Sequence, residues 1–176
     1  MTAALVTRPG PDEYGAVYAG YIARVPADAD IVSVLAGQQA DNLARLRAMP
    51  ESRGDHRYAP DKWSVKQVLL HVADTERIMT YRALRIARAD ATPLPGFDEA
   101  AYAPLSGADA RTVADLAQEL ADVRQASLAL FRHLPPDAWS RRGTASGYAA
   151  SVRGLAWIVA GHERHHFAVL AERYGV

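Results

Sequence analysis

Residues 151–176 read SVRGLAWIVAGHERHHFAVLAERYGV, with apolar side chains at Leu155, Ile158, Val159, Val169 and Leu170. That spacing follows a 3.6-residue period over a run too long for a strand, so it predicts a helix opened by Ser151 and stopped at Gly175. On such a helix His162 and His166 are four residues apart and project from nearly the same face, separated by about 40° of rotation. Two imidazoles so placed can clasp one divalent cation.

Working outward, the stretch from Ser64 to about Ala89 supplies the third imidazole. Ser64 and Gln67 form the Ser-x-x-Gln pattern of a capping box, and Trp63 and Val68 occupy the two positions of a hydrophobic staple. Val65, Val68, Leu69, Val72, Ile78, Met79 and Leu84 continue the helical period, and His71 lies on their stripe. His71, His162 and His166 are therefore candidate metal ligands. Three nitrogens leave coordination positions open, which is the pattern of a catalytic rather than a structural site. Neutral imidazole suits zinc, nickel, copper or iron.

Two further segments complete the frame. Ile31, Leu35, Leu43 and Leu46 predict a helix from Asp30 to Met49. Val113, Leu116, Leu120, Val123, Leu128 and Phe131 predict another from Asp109 to Leu134, ended by Pro135 and Pro136. Residues 93–107 read as loop, and Trp139 to Ala150 as a turn-rich stretch. With no alternating strand pattern, four long amphipathic segments imply an all-α four-helix bundle. The connections after the second and third long helices are long enough for at least one to cross the bundle. Residues 1–176 are expected to form one domain, with 1–29 an N-terminal extension. There Tyr14, Tyr18 and Tyr21 line one face of a short helix stopped by Pro26.

Composition narrows the chemistry. The 176 residues include no cysteine, which excludes disulfides, thiolate metal sites and a cysteine nucleophile, and no other side-chain nucleophile is assigned. Net charge is zero, which gives nucleic acid or an anionic membrane no overall field to follow. Arg82, Arg85, Arg88, Arg141 and Arg142 read as solvated helix and loop faces. The first residues show neither the charged leader nor the apolar core of a secretory signal, and no apolar run reaches membrane-spanning length, so a cytoplasmic protein is expected.

Around the histidines, four residues are candidates for orienting ligands or moving protons: Asp74, Thr75, Glu163 and His165. Asp74 and Thr75 lie one turn beyond His71, whereas Glu76 reads as a solvated face. His165 is rotated about 60° from His162 and about 100° from His166, so it flanks the pair. His162-Glu163-Arg164-His165-His166 also satisfies His-Glu-x-x-His, in which the glutamate is a peptidase's general base. A third ligand downstream is missing, since Glu172 is poorly placed, and the peptidase reading is disfavoured. His56 reads as a solvated loop residue, and His133 as a partner for its helix's C-terminal dipole.

Several pieces of the chain together resemble the DinB-like superfamily, which includes YfiT-type metal-dependent hydrolases. They are Lys62-Trp63-Ser64-Val65 leading to Leu70-His71-Val72-Ala73-Asp74-Thr75-Glu76-Arg77, then Pro93 to Glu99, Gly143-Thr144-Ala145-Ser146, and Gly161 to His166. The resemblance implies a four-helix bundle of crossed topology, a homodimer, and His71, His162 and His166 as ligands of zinc or nickel, with iron as a further fit. It implies a small-molecule substrate handled by transfer of a low-molecular-weight thiol cosubstrate or by metal-activated water. The alternative is a non-catalytic metal- or ligand-binding protein associated with stress. Many members carry Gly-Gln two residues past the last histidine, where this chain has Ala168-Val169.

Overall fold

Asp30, Ser64, Thr112 and Ser151 each open a long helix by accepting a backbone N–H onto a side-chain oxygen, from Val32, Gln67, Asp115 and Gly154 respectively. At Ser64 the box is reciprocal, with Gln67 Oε1 accepting the Ser64 N–H at 3.1 Å. The computed structural model describes residues 6–176. Its helices are α1 (Ala19–Ile22), α2 (Ile31–Ala48), α3 (Val65–Ala87), α4 (Glu99–Leu105), α5 (Val113–Arg132) and α6 (Val152–Val169). A wider π turn, Leu170–Tyr174, extends α6 to Gly175.

Four of these helices make the bundle. α3 packs between α5 and α6, and α2 packs on the other side against the same two. Around the bundle the order is α2, α5, α3, α6, so the α2–α3 and α5–α6 connections both run across a diagonal. The α3–α5 connection, long as it is, joins neighbours, and the crossing at residues 49–64 is made by a segment whose length carried no such expectation. Buried Leu35, Leu128, Phe131, Leu155, Trp157 and Ile158 fill one part of the interior. Leu69, Val72, Leu116, Leu120 and Leu170 fill the other. No helix among the described residues is long and apolar enough to cross a membrane.

Three local expectations need correction. The third long helix starts at Val113 rather than Asp109. Thr112 is the better cap, and the Asp109 carboxylate instead accepts the Ser64 hydroxyl and pairs with Arg57. Residues 99–105 are helical because Asp98 accepts the N–H groups of Ala100 and Ala101. The turn-rich stretch holds an antiparallel hairpin, β1 (Arg142–Ala145) and β2 (Tyr148–Ser151). Ser146 and Gly147 both have positive φ, 53° and 79°, the backbone of a two-residue hairpin turn. Gly143, Ala145, Ala149 and Ala150 carry too little side chain to show a strand's alternation.

The hairpin and the segment before α4 are tied to α3 by Arg82. Its guanidinium donates to Pro95 O at 2.7 Å and Ser146 Oγ at 2.9 Å, and lies 5.6 Å from the centre of the Phe97 ring. Arg82 is thus a buried anchor and not the solvated residue its spacing implied. It had to be inward because the segments it holds cross over α3. Leu94 strengthens the attachment by bridging to the hairpin through Thr144 O and Ser146 N.

Candidate metal centre

α3 and α6 lie side by side, which brings together histidines remote in sequence. His71 Nε2 is 3.0 Å from His162 Nε2, and His166 Nε2 is 3.1 Å from the same atom. His162 is buried, and the other two are partly buried. The ring of Trp63, on the residue before the α3 cap, lies 4.9 Å from that of His71. On the opposite side Tyr21 of α1 meets His162 edge-on at 5.2 Å.

Burial holds all three imidazoles in the neutral, ligating form. It lowers His71 to about 4 and, with help from the charge on His71, His166 to about 3. His162 is pushed down as well, by burial first and by its histidine neighbours second. As hydrogen bonds alone the cluster is incompletely satisfied. Nε2 of His162 can donate to only one neighbour, and as an acceptor it has one lone pair for two. Three ring nitrogens within 4.8 Å of one another suit a cation. Bond lengths of about 2.0–2.1 Å in a tetrahedral zinc site put ligand nitrogens about 3.3 Å apart, close to the spacing seen here. The donor set therefore fits a divalent ion.

In chelator-treated protein the same burial has an acid signature. An unfolded chain takes up protons on these rings near pH 6.5, whereas the native chain does so only near 4 and 3. The unfolded state binds more protons across that window, so native stability falls as pH drops through it. Urea melts of metal-free protein should show this fall, with a shallower slope in His166→Gln; equal slopes would mean that the ring is not held neutral.

The other candidate residues take different places. Thr75 is buried beside His71 and His162, and among the described residues its hydroxyl has no hydrogen-bond partner. Asp74 is partly buried and pairs with Arg77 at 3.1 Å. Burial pushes its carboxyl up. His165 stands beside the cluster, its ring 5.0 Å from that of His166 and 5.5 Å from Tyr21. Burial lowers its pKa. His133 bonds the carbonyl of Ala129, one turn back near the end of α5. His56 faces Tyr174 edge-on at 6.0 Å and is not merely a solvated loop residue.

Glu163 points away from the triad into the bundle. Its carboxylate accepts from Arg124 at 2.9 Å and Gln38 at 2.7 Å. Glu76, expected on a solvated face, is buried and grips Arg124 through two hydrogen bonds of 2.7 and 2.8 Å. Arg124 also donates to Leu35 O at 2.8 Å, so one guanidinium links α2, α3, α5 and α6. Periodicity along α3 could not reveal this, because Glu76 becomes an inward residue only when Arg124 arrives from α5.

Two clefts reach the cluster. A cavity of about 240 Å³ is bounded by His71, His162, Thr75, Tyr21, Phe97 and Glu99. A second, of about 380 Å³, runs past His165, His166, Trp63 and Lys62. Sequence reasoning missed Tyr21 and Phe97 as site residues. A signal was present in Gly161, next to His162. A Cβ there would lie 2.0 Å from the carbonyl oxygen of Tyr21, so only glycine admits α1 to this place.

A crossed four-helix bundle with three histidines converging from two adjacent helices defines the class, and the sequence agrees with it. Residues 35–170 match the DinB superfamily, and the chain belongs to that family. Among solved structures it is similar to YfiT from Bacillus subtilis, described as a probable metal-dependent hydrolase with an unusual four-helix bundle topology. The identity is 21% and the TM-score 0.71, over 82% of this chain and 86% of that one. No curated protein matches the chain.

Proposed function

We propose that this protein is a metal-dependent enzyme acting on a small molecule, with His71, His162 and His166 holding a divalent ion, zinc or nickel first and iron as a further fit. The observation that carries the reading is the convergence of three neutral Nε2 atoms, one on a buried and two on partly buried rings. A bound ion would act as a Lewis acid and lower the pKa of a water or thiol in its open position. The chain's own part is to keep the three rings neutral and to cover the site. Tyr21 and Trp63 pack on either side of the histidines, and Phe97 narrows the cavity mouth.

Hydrolysis by activated water is the leading reading, supported by the description of YfiT. Transfer of a low-molecular-weight thiol is the second, favoured by a chain that has no cysteine of its own. Asp74 and Glu99 beside His71, and His165 beside His166, are side chains near the cluster with a carboxylate or imidazole to move a proton. The proposal extends to a cytoplasmic homodimer, with light scattering as the check on assembly.

The test is metal content by inductively coupled plasma mass spectrometry on untagged protein, wild type beside His166→Ala. About one zinc, nickel or iron per chain is expected, and its loss in the variant. Wild-type protein that is metal-free and refuses added zinc and nickel would overturn the enzyme reading in favour of a histidine-lined binding pocket.

A further inference from the structure

We infer that the 240 Å³ cavity is a ligand subsite in which the Thr75 hydroxyl holds the ligand's head atom and the Glu99 carboxylate selects neutral or cationic molecules over anionic ones. This rests on the metal reading above and names the chemistry that reading leaves open.

The first observation is the orphaned hydroxyl. Thr75 is 3 % exposed, and its Oγ1 has no partner among the described residues. An unpaired buried polar group is costly, so such groups persist where something completes them. Thr75 stands one turn after His71 on α3 and lines the same cavity as His71 and His162. Anything that enters far enough to face those rings passes within the hydroxyl's surroundings. The hydroxyl can both donate and accept, so it can serve a water, a thiol or an alkoxide-like oxygen.

The second observation is charge. Apart from histidine, the cavity wall is built of Val17, Tyr18, Tyr21, Met79, Phe97, Ser146 and Ile158, and Glu99 is its single charged residue. Arg82, packed against Phe97 of that wall, donates to Pro95 O and Ser146 Oγ. Two phenols, a phenyl ring and a carboxylate favour an ammonium tail and disfavour a carboxylate tail. The second cleft differs, with Lys62 and Asp61 on its wall.

Cobalt-loaded protein tests this, because a sulfur ligand gives an intense charge-transfer band that reads binding without turnover. The probes are cysteamine, 2-mercaptoethanol and mercaptoacetate, alike in size and cationic, neutral and anionic in turn. Wild type should favour cysteamine over mercaptoacetate more strongly than Glu99→Gln does, a comparison in which the ion's own charge and its chelation by each tail are common to both proteins. Thr75→Val, which keeps the shape, should weaken all three by about two- to tenfold, the value of one hydrogen bond, and Thr75→Ser should restore them. Glu99→Gln should shrink the cysteamine-to-mercaptoacetate ratio by about fivefold at low salt and less at high salt. Unchanged affinity in Thr75→Val, or equal losses in the valine and serine variants, would overturn the hydroxyl's role. A ratio indifferent to Glu99→Gln would overturn the selection. Failure of cobalt to bind at all would sink the metal reading and this inference with it, and metal analysis separates that case from the others.

Discussion

Arg124→Ala should destabilise the fold by about 3–5 kcal/mol, the range for breaking a buried ion pair from one side. The alanine leaves Glu76 and Glu163, each 2 % exposed, facing one another across the bundle with no cation between them. Burial already pushes the Glu163 carboxyl up, opposed by the Arg124 charge, so removing that charge drives it toward protonation. Leu35 O loses its donor as well. The comparison that isolates the charge is a triple replacement, Arg124→Met with Glu76→Leu and Glu163→Leu. It trades the cluster for apolar volume and should recover most of the loss, because a buried ion pair is weak as a source of stability but costly to break. Urea denaturation of the three proteins measures this. A loss of less than about 1 kcal/mol in Arg124→Ala would mean that water or rearrangement relieves the carboxylates.

Gly161→Ala should also destabilise, against the usual sign for such a change within a helix, where alanine is favoured by about 0.5–1 kcal/mol. The new Cβ would stand 2.0 Å from Tyr21 O, 2.5 Å from Tyr21 C and 3.0 Å from its Cα. Backbone cannot rotate away as a side chain does, so α1 must lift from α6, at a cost of about 1–3 kcal/mol typical of overpacking. Tyr21 then leaves His162, and Arg24, whose carbonyl accepts from Arg164, loosens with it. Faster tryptic cleavage after Arg24 and a lower melting temperature are the expected results. A variant as resistant and as stable as wild type would show that the two helices can separate without loss.

What could be read in advance depended on how local the cause was. Ser64 with Gln67, and Ser151 as a cap, act within one turn, and the sequence places them correctly. His162 and His166 share a face by spacing alone, and His71 joins them because its stripe faces the core. Glu76, Arg82 and Arg124 were not legible as buried residues. A charge goes inside only when partners from other elements meet it, and no single-helix pattern carries that information. The hairpin was hidden for a different reason, since its turn is defined by positive φ at Ser146 as much as at Gly147, and serine does not announce it.

The order of the helices around the bundle also bears on how the chain is born. On the ribosome α2 emerges before the other three bundle helices, yet both helices it packs against follow α3, so Ile31 and Leu35 wait without their final partners while α3 and the segments after it are made. His71 and His162 are 91 residues apart, on the order of ten seconds of synthesis at about 5–20 residues per second. Until α6 is out, a nascent chain offers one histidine of the three and an open apolar groove where α6 will lie. α6 therefore closes the core and assembles the triad in a single event, so the metal centre matures only when this helix docks.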